Sequence, residues 1–126
     1  MREISFRGKH THSYKWPEGY YALDRLGHFI FCRDGQTFEV IPETVGQFTG
    51  LTDMNGTKIF EGDIVSHPWG GERIVHFQIC FESGEFVAVP PKTMRDVWTI
   101  RISGNTDAME IIGNIHDNPE LLEVSK

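Results

Sequence analysis

Two histidines near the start of the chain have a spacing that could begin a metal site. His10 and His12 are separated by one residue, so an extended segment would place both imidazoles on the same side. Neutral imidazole is a common zinc ligand, but a zinc site needs several converging ligands, and here the others would have to come from Cys32, Cys80 or His28. No Cys-x-x-Cys or His-x-x-x-His spacing is present. We therefore predict exposed loop histidines, no metal and no cofactor.

A second candidate is a pair of carboxylates in the middle of the chain. Glu61 and Asp63 would lie on one side of an extended segment, as acid–base chemistry requires. Gly62 between them marks a bend, however, and an Asp beside Gly at the entry to a strand usually accepts hydrogen bonds from backbone N–H groups. We favour structural roles for Gly62 and Asp63. The catalytic alternative would need a partner such as His76 nearby.

The run Asp53-Met54-Asn55-Gly56 has the composition of a calcium loop but not its spacing. Such a loop needs Gly at the sixth position and Glu at the twelfth, whereas Gly56 is the fourth residue here. Asn-Gly tolerates the positive φ angles that a tight I′ turn demands. We predict a hairpin whose register is set by a turn at Asn55 and Gly56.

One segment has the composition of a binding loop. His67-Pro68-Trp69-Gly70-Gly71 contains a Pro and two Gly, which predict an exposed loop because these residues cannot extend a strand ladder. Trp69 is then either folded back over the core or exposed as a binding anchor, with His67 and Arg73 as its polar rim. Both alternatives remain open at the level of sequence.

Motifs of known enzymes are missing from the sequence. There is no Gly-x-Ser-x-Gly, no P-loop and no Gly-x-Gly-x-x-Gly, and neither Cys has the context of a nucleophile. We predict no enzymatic activity and no catalytic residues, and a small hydrolase is the least favoured alternative.

The elements that must position these residues are mainly strands. The 13 Gly and 6 Pro leave segments between them that are too short for most helices. Short helical turns are expected only where Pro42 and Pro119 stand at a first helical position. The predicted strands cover Met1–Arg7, two runs within Tyr20–Cys32, Thr37–Ile41, Gln47–Leu51, Lys58–Phe60, Ile64–Val65, Arg73–Phe81, Phe86–Val89, Val97–Ile102 and Glu110–Ile115.

We predict a mostly β fold with an N-terminal β extension. Its central and C-terminal part should be a small meander, since Glu61-Gly62-Asp63-Ile64-Val65 and the strands after it resemble the start of SH3-like barrels. The expected organisation is a single domain over residues 1–126, with a subdivision into 1–46 and 47–126.

Charge and composition restrict the setting of this protein. The net charge is −6, yet residues 1–16 carry +3, so the remainder is strongly acidic and unsuited to coating nucleic acid. We expect a cytoplasmic protein without a membrane segment, because no apolar run approaches a bilayer span. Cys32 and Cys80 should be free thiols in a reducing compartment.

Three stretches together resemble the YopX family of phage and prophage proteins. They are Met1–Arg7, the 19 residues from Gln47 to Val65, and Glu110–Leu122, and they occur in the family's order. The resemblance implies a phage or prophage gene, a bacterial host cell and a mostly β fold. It implies no established reaction and supplies no catalytic residues.

Two classes of binding function follow as hypotheses. The first is a protein-interaction module for a phage or host protein, with homo-oligomers also possible, because aromatic residues fall in predicted loops. The alternative is an accessory protein for single-stranded nucleic acid, since Tyr14 and Trp16 accompany the basic start and aromatic stacking with basic side chains is how single strands are held.

Overall fold

The computed structural model describes residues 3–71 and 73–123, and the chain forms two compact units. The first unit covers Met1–Gly50 and the second covers Leu51–Lys126. Strands dominate both, so the predicted mostly β class is confirmed.

The first unit is an antiparallel sheet built from short hairpins. Its strands follow the order β4-β3-β2-β1-β5, and β6 comes after β5 in the same sheet. A 3₁₀ helix at Pro42–Thr44 precedes β5, as predicted from Pro42. The buried apolar residues of this unit are Ile30, Val40 and Phe48. The strands of this unit are β1 Phe6–Arg7, β2 Glu18–Asp24, β3 Gly27–Phe31, β4 Thr37–Glu39 and the first part of β5 Gly46–Thr52. Strand β6, Lys58–Phe60, belongs to the second unit.

The second unit contains a five-stranded antiparallel sheet with the order β10-β9-β8-β7-β11. Two further 3₁₀ helices cover Thr106–Ala108 and Pro119–Leu122, the second where Pro119 predicts a helical turn. Residues on one face of the sheet, Val75, Phe77 and Ile79 of β8 among them, form the core of this unit. The strands are β7 Asp63–Trp69, β8 Arg73–Glu82, β9 Glu85–Val89, β10 Ile100–Arg101 and β11 Glu110–Asn114.

The predicted SH3-like barrel is not a closed barrel in the described part of the structure. In the described residues β10 pairs with β9 and β11 pairs with β7, and no ladder joins these two outer strands. The predicted strand Val97–Ile102 is reduced to Ile100–Arg101, and two residues offer too few backbone pairs to close a barrel.

The predicted loop at residues 67–71 is also wrong, since β7 continues to Trp69. His67 pairs with Val75, Pro68 with Ile74, and Trp69 with Arg73. Proline is tolerated here because every second residue of a strand turns its N–H away from the neighbouring strand, and Pro68 occupies such a position. The turn itself begins only at Gly70 and Gly71, both of which have positive φ.

The hairpin around Asn55 and Gly56 exists, but its turn is not type I′. Gly56 has a φ of 81°, whereas Asn55 does not have a positive φ. The N–H of Asp53 donates to the carbonyl of Thr57 at 2.8 Å, and the carbonyl of Asp53 accepts the N–H of Gly56 at 3.0 Å. The loop between Asp53 and Thr57 therefore has three residues. A left-handed pair typical of type I′ is found instead at Ser83 and Gly84, with φ of 52° and 84°.

The Asp53 side chain explains the wider turn. Its Oδ1 accepts the N–H groups of Asn55 and Thr57 at 2.9 and 3.0 Å, and its Oδ2 accepts the N–H of Ile111 in β11 at 2.9 Å. Partial burial acts to raise the pKa of Asp53, but these backbone donors outweigh it and hold the pKa below its usual value. The buried carboxylate therefore fixes the turn and ties it to β11.

We expect Gly56→Val to lower the free energy of unfolding by roughly 1–2 kcal/mol, because a β-branched residue is strained at positive φ. No atom lies within 4 Å of an added Cβ at Gly56, so the loss would come from backbone conformation and not from a clash. Met54→Val is the control in the same loop, since Met54 lacks positive φ and is exposed. Denaturant unfolding of both variants checks this, and equal stabilities would contradict it.

Asp53→Asn should destabilise the second unit by about 1–3 kcal/mol at neutral pH, because the amide cannot accept all three N–H groups. A carboxylate whose pKa is lowered by folding stabilises at pH above its unfolded value and loses that effect as pH falls through the folded value. The gap between wild type and variant should therefore narrow below about pH 4. Asp107→Asn, at an exposed site, is the control. A gap independent of pH would refute the electrostatic explanation.

Candidate functional site

The candidate site is an aromatic patch at the end of the β7–β8 hairpin, formed by Trp69, Arg73, Asp96 and Trp98. Trp98 lies in the segment 90–99 and is 71% exposed. The ring of Trp98 meets that of Trp69 edge to face, with 6.3 Å between centroids. A large exposed aromatic ring is typical of binding surfaces.

Trp69 supports the patch from below. It is half-buried at the end of β7, packs against the core of the second unit and lies 6.3 Å from the ring of Phe77. The sequence left open whether Trp69 is a core plug or an exposed anchor. Trp69 packs against the core and supports the ring of Trp98, which is the exposed aromatic residue of the patch.

An ion pair connects the segment of Trp98 to the hairpin. Arg73 donates from its guanidinium to Asp96 Oδ2 at 2.8 Å, and this hydrogen bond lowers the pKa of Asp96. Both side chains are largely exposed, so the pair contributes little to stability. It links the segment that carries Trp98 to the start of β8, and buried Val97 anchors the same segment in the core.

His67 contacts the core beside this surface, and its predicted role as a polar rim with Arg73 stays a prediction. It lies on the same face of β7 as Trp69, where its ring meets Phe77 edge to face at 6.1 Å. Its Nδ1 is buried and has no hydrogen-bond partner among the described residues. A strand in place of a loop turns this side chain toward the core.

The opposite face of β8 carries a groove that the sequence did not reveal. The groove has a volume of about 710 Å³. It lies beside the 3₁₀ helix Pro119–Leu122, which is fixed by a hydrogen bond from His76 Nδ1 to the carbonyl of Leu121 at 2.7 Å. The lining is mainly apolar and includes Val89, Pro90, Pro91 and Leu122, with Gln78, Lys92 and Glu123 as polar members.

The two carboxylates considered for acid–base chemistry have structural surroundings. Asp63 is 2% exposed, and its Oδ2 accepts the N–H of Phe60 at 2.8 Å. Gly62 has a φ of 95° and donates its N–H to the carbonyl of Ile79, so the bend between the carboxylates is real. His76 opposes Ser66, three residues along β7 from Asp63, and bonds to Leu121 instead. Asp63 therefore caps the turn before β7, as predicted.

The remaining candidates do not form a reactive cluster. His10 and His12 contact each other edge to face at 5.6 Å, and His10 Nδ1 bonds to Ser13 Oγ at 2.6 Å. In the ranges 3–71 and 73–123 no group of three His, Cys, Asp or Glu side chains could hold a metal ion. Cys32 and Cys80 are free, and burial together with nearby carboxylates raises the pKa of each thiol, which disfavours the reactive thiolate.

The fold and the site define a class of small, mostly β protein that exposes aromatic side chains. The sequence model described as YopX protein matches residues 6–123, so this chain belongs to the YopX family. The resemblance inferred from the three stretches is confirmed.

A solved structure supports the same fold. The crystal structure of protein EF1440 from Enterococcus faecalis is 26% identical in sequence and superposes with a TM-score of 0.61. The match covers 98% of this chain and all of that one. No curated protein matches the chain. No helix in the described part of the structure is long and apolar enough to cross a membrane.

The two tryptophans should respond differently to truncation. Trp69→Ala should lower the free energy of unfolding by about 2 kcal/mol or more, because it removes a ring packed against the core. Trp98→Ala should stay within roughly 0.5 kcal/mol of wild type, since most of its ring is already in water. Thermal and denaturant unfolding of the two variants check this. A large loss of stability in Trp98→Ala would show that Trp98 is part of the core and not of a surface.

Proposed function

We propose that this protein is a protein-interaction module that binds its partner through the aromatic patch. The exposure of Trp98, 71% of its surface, is the observation that carries the proposal. Tryptophan is among the residues that dominate binding energy when an interface covers them, and leaving so large a ring in water has no benefit for folding.

The patch has the composition of an interface centre. Trp98 supplies apolar area, and Arg73 and Asp96 supply a polar border whose hydrogen bond is already formed. Because Trp98 rests on Trp69, and Trp69 packs against the core, the exposed ring has less freedom to lose on binding than an isolated loop side chain. These features favour a preformed contact surface.

Charge indicates the nature of the partner. The second unit carries six Lys and Arg against twelve Asp and Glu, so its net charge is −6, whereas the first unit balances six against six. An acidic unit repels phosphate and attracts surfaces with basic residues. We expect the partner, a phage or host protein, to present an apolar centre with Lys or Arg around it.

A nucleic-acid function would depend on the first unit instead. Arg7 lies over the Trp16 ring at 4.9 Å, and Lys9 lies over the Tyr14 ring at 5.3 Å. This pairing of cations with aromatic rings is the composition that holds single strands. Oligonucleotide binding that weakens steeply with salt and is lost in Trp16→Ala would favour this second candidate.

The proposal is tested by comparing partner capture by wild type, Trp98→Ala and Tyr20→Ala from cells that contain the natural host proteins. Tyr20 is a matched control because it is also an exposed aromatic residue, at 64%, but lies in β2 of the first unit. A true partner should fall by roughly tenfold or more with Trp98→Ala, as expected for a hot spot, and should be retained with Tyr20→Ala. Equal recovery with wild type and Trp98→Ala would overturn the proposal.

A further inference from the structure

Strand β8 has an edge whose backbone groups can be assigned by alternation. Each residue of an antiparallel strand turns its N–H and C=O to the same side, and successive residues alternate. The carbonyl of Ile79 accepts the N–H of Gly62, which precedes β7, so Ile79 faces the β7 side. The pairing of β8 with β7 has no register shift from Ile64 to Trp69, so Phe77 and Val75 also face β7.

It follows that Gln78, His76 and Ile74 face away from β7. Two other observations agree with this assignment. Pro68, which has no N–H, lies opposite Ile74, as expected of a pair that exchanges no hydrogen bond. The tight Ser83–Gly84 turn makes Glu82 and Glu85 a hydrogen-bonded pair, and counting back in steps of two from Glu82 again reaches Gln78, His76 and Ile74.

The strand that should occupy this side ends early. Strand β9 pairs with β8 from Glu82 to Gln78 and ends at Val89, where Pro90 and Pro91 follow. Proline cannot donate to a ladder, so β9 cannot continue along Ile74 and His76. Within the described residues neither Ile74 nor His76 makes a backbone hydrogen bond on this side. Their N–H and C=O groups form a short open edge.

Open space lies directly against this edge. A cavity of about 240 Å³ is bounded by Ile74, Val75 and His76 on one side and by Pro91, Met94 and Leu121 among the residues facing them. It adjoins the apolar groove of about 710 Å³, since Pro91 and Glu123 line both spaces. The edge is therefore a slot between the segment 90–99 and the 3₁₀ helix Pro119–Leu122.

We infer that the slot accepts an extended, apolar segment of a partner chain, which adds as a short strand to β8 at Ile74 and His76. This inference rests on the proposed function and specifies how the partner binds. Only an extended backbone offers donors and acceptors at the spacing that these two residues present, and strand addition to an exposed sheet edge is a general mode of peptide recognition. Side chains of the segment that point to the groove should be apolar, to match Val89, Pro91 and Leu122.

A second copy of this protein is a poorer occupant than a free segment. The edge is recessed between Pro91 and Met94 on one side and Leu121 on the other, so a strand that already belongs to a sheet would bring its neighbours into these walls. An isolated extended segment is narrow enough to enter.

The first measurement is amide hydrogen exchange by NMR on the full chain without ligand. The N–H groups of Ile74 and His76 should exchange much faster than those of Val75 and Phe77, which bond to β7. The expected difference is at least tenfold. Equal protection of all four amides would overturn the inference, because it would show that the edge is already paired.

The second measurement uses a displayed library of random nine-residue linear peptides selected on the full chain. Selected peptides should slow the exchange of the Ile74 and His76 amides, and N-methylation of alternate peptide residues should weaken binding about tenfold, one backbone hydrogen bond at a time. Ile74→Pro removes one donor of the edge without touching the β7 ladder and should weaken binding, whereas Ile74→Val should not. If Ile74→Pro fails to fold, the N-methylated peptides still test the same backbone hydrogen bonds, because they remove N–H donors from the peptide and not from β8.

The outcomes separate this inference from the proposed function. Partner capture that depends on Trp98, together with peptides that leave both amides unprotected or with no selected peptide at all, would overturn strand addition and leave the interaction module standing. If Trp98→Ala captured the partner as well as wild type does, the proposed function would be overturned. A second copy as the occupant would appear as concentration-dependent protection of the two amides without peptide, and that result would also overturn the inference.

Discussion

The second unit depends on the burial of alternate side chains of β8. Val75, Phe77 and Ile79 are fully buried, and their neighbours β7 and β9 add Val65 and Ala88 to the same core. Because a strand alternates its side chains with a period of two, placing these residues inside fixes the direction of every other residue of the strand. The orientation of His76 toward the 3₁₀ helix and the direction of the backbone groups at Ile74 follow from it.

This constraint also explains why the surface lies where it does. Strand β8 covers Arg73–Glu82, but β9 covers only Glu85–Val89, so among residues 3–71 and 73–123 the first half of β8 has a neighbouring strand on one side alone. The segment 90–99 fills part of the remaining side, fixed by the ion pair of Arg73 and Asp96 and by buried Val97. Because this segment is irregular, it covers apolar area without adding a strand to β8. Trp98 stays exposed to solvent, and the slot lies between the segment and the 3₁₀ helix Pro119–Leu122.

Local patterns in the sequence predicted much of the fold and less of the site. Hairpins at Asp34–Gly35 and Ser83–Gly84 and the turn at Gly62 are encoded by neighbouring residues, and the structure contains them. The turn at Asn55 and Gly56 is wider than type I′ because Asp53 Oδ1 accepts the N–H groups of Asn55 and Thr57. The further bond to Asp53 from Ile111, 58 residues away, is one that no local pattern contains. The prediction of a loop at residues 67–71 is wrong because proline fits a strand when its nitrogen faces away from the neighbouring strand. The sequence does not show which way the nitrogen of Pro68 faces.

Trp98 illustrates the limit for the site itself. Val97-Trp98-Thr99-Ile100 has the alternation of a strand, and that pattern is the only signal the local sequence offers. Its exposure is decided by where β9 ends and by the contact with Trp69, both of which are tertiary facts. The similarity to EF1440 extends over almost the whole chain at 26% identity, so the scaffold tolerates extensive substitution while keeping its fold. Exposed positions such as Trp98 and Ile74 contribute little to folding, so the fold alone does not determine which residues stand there.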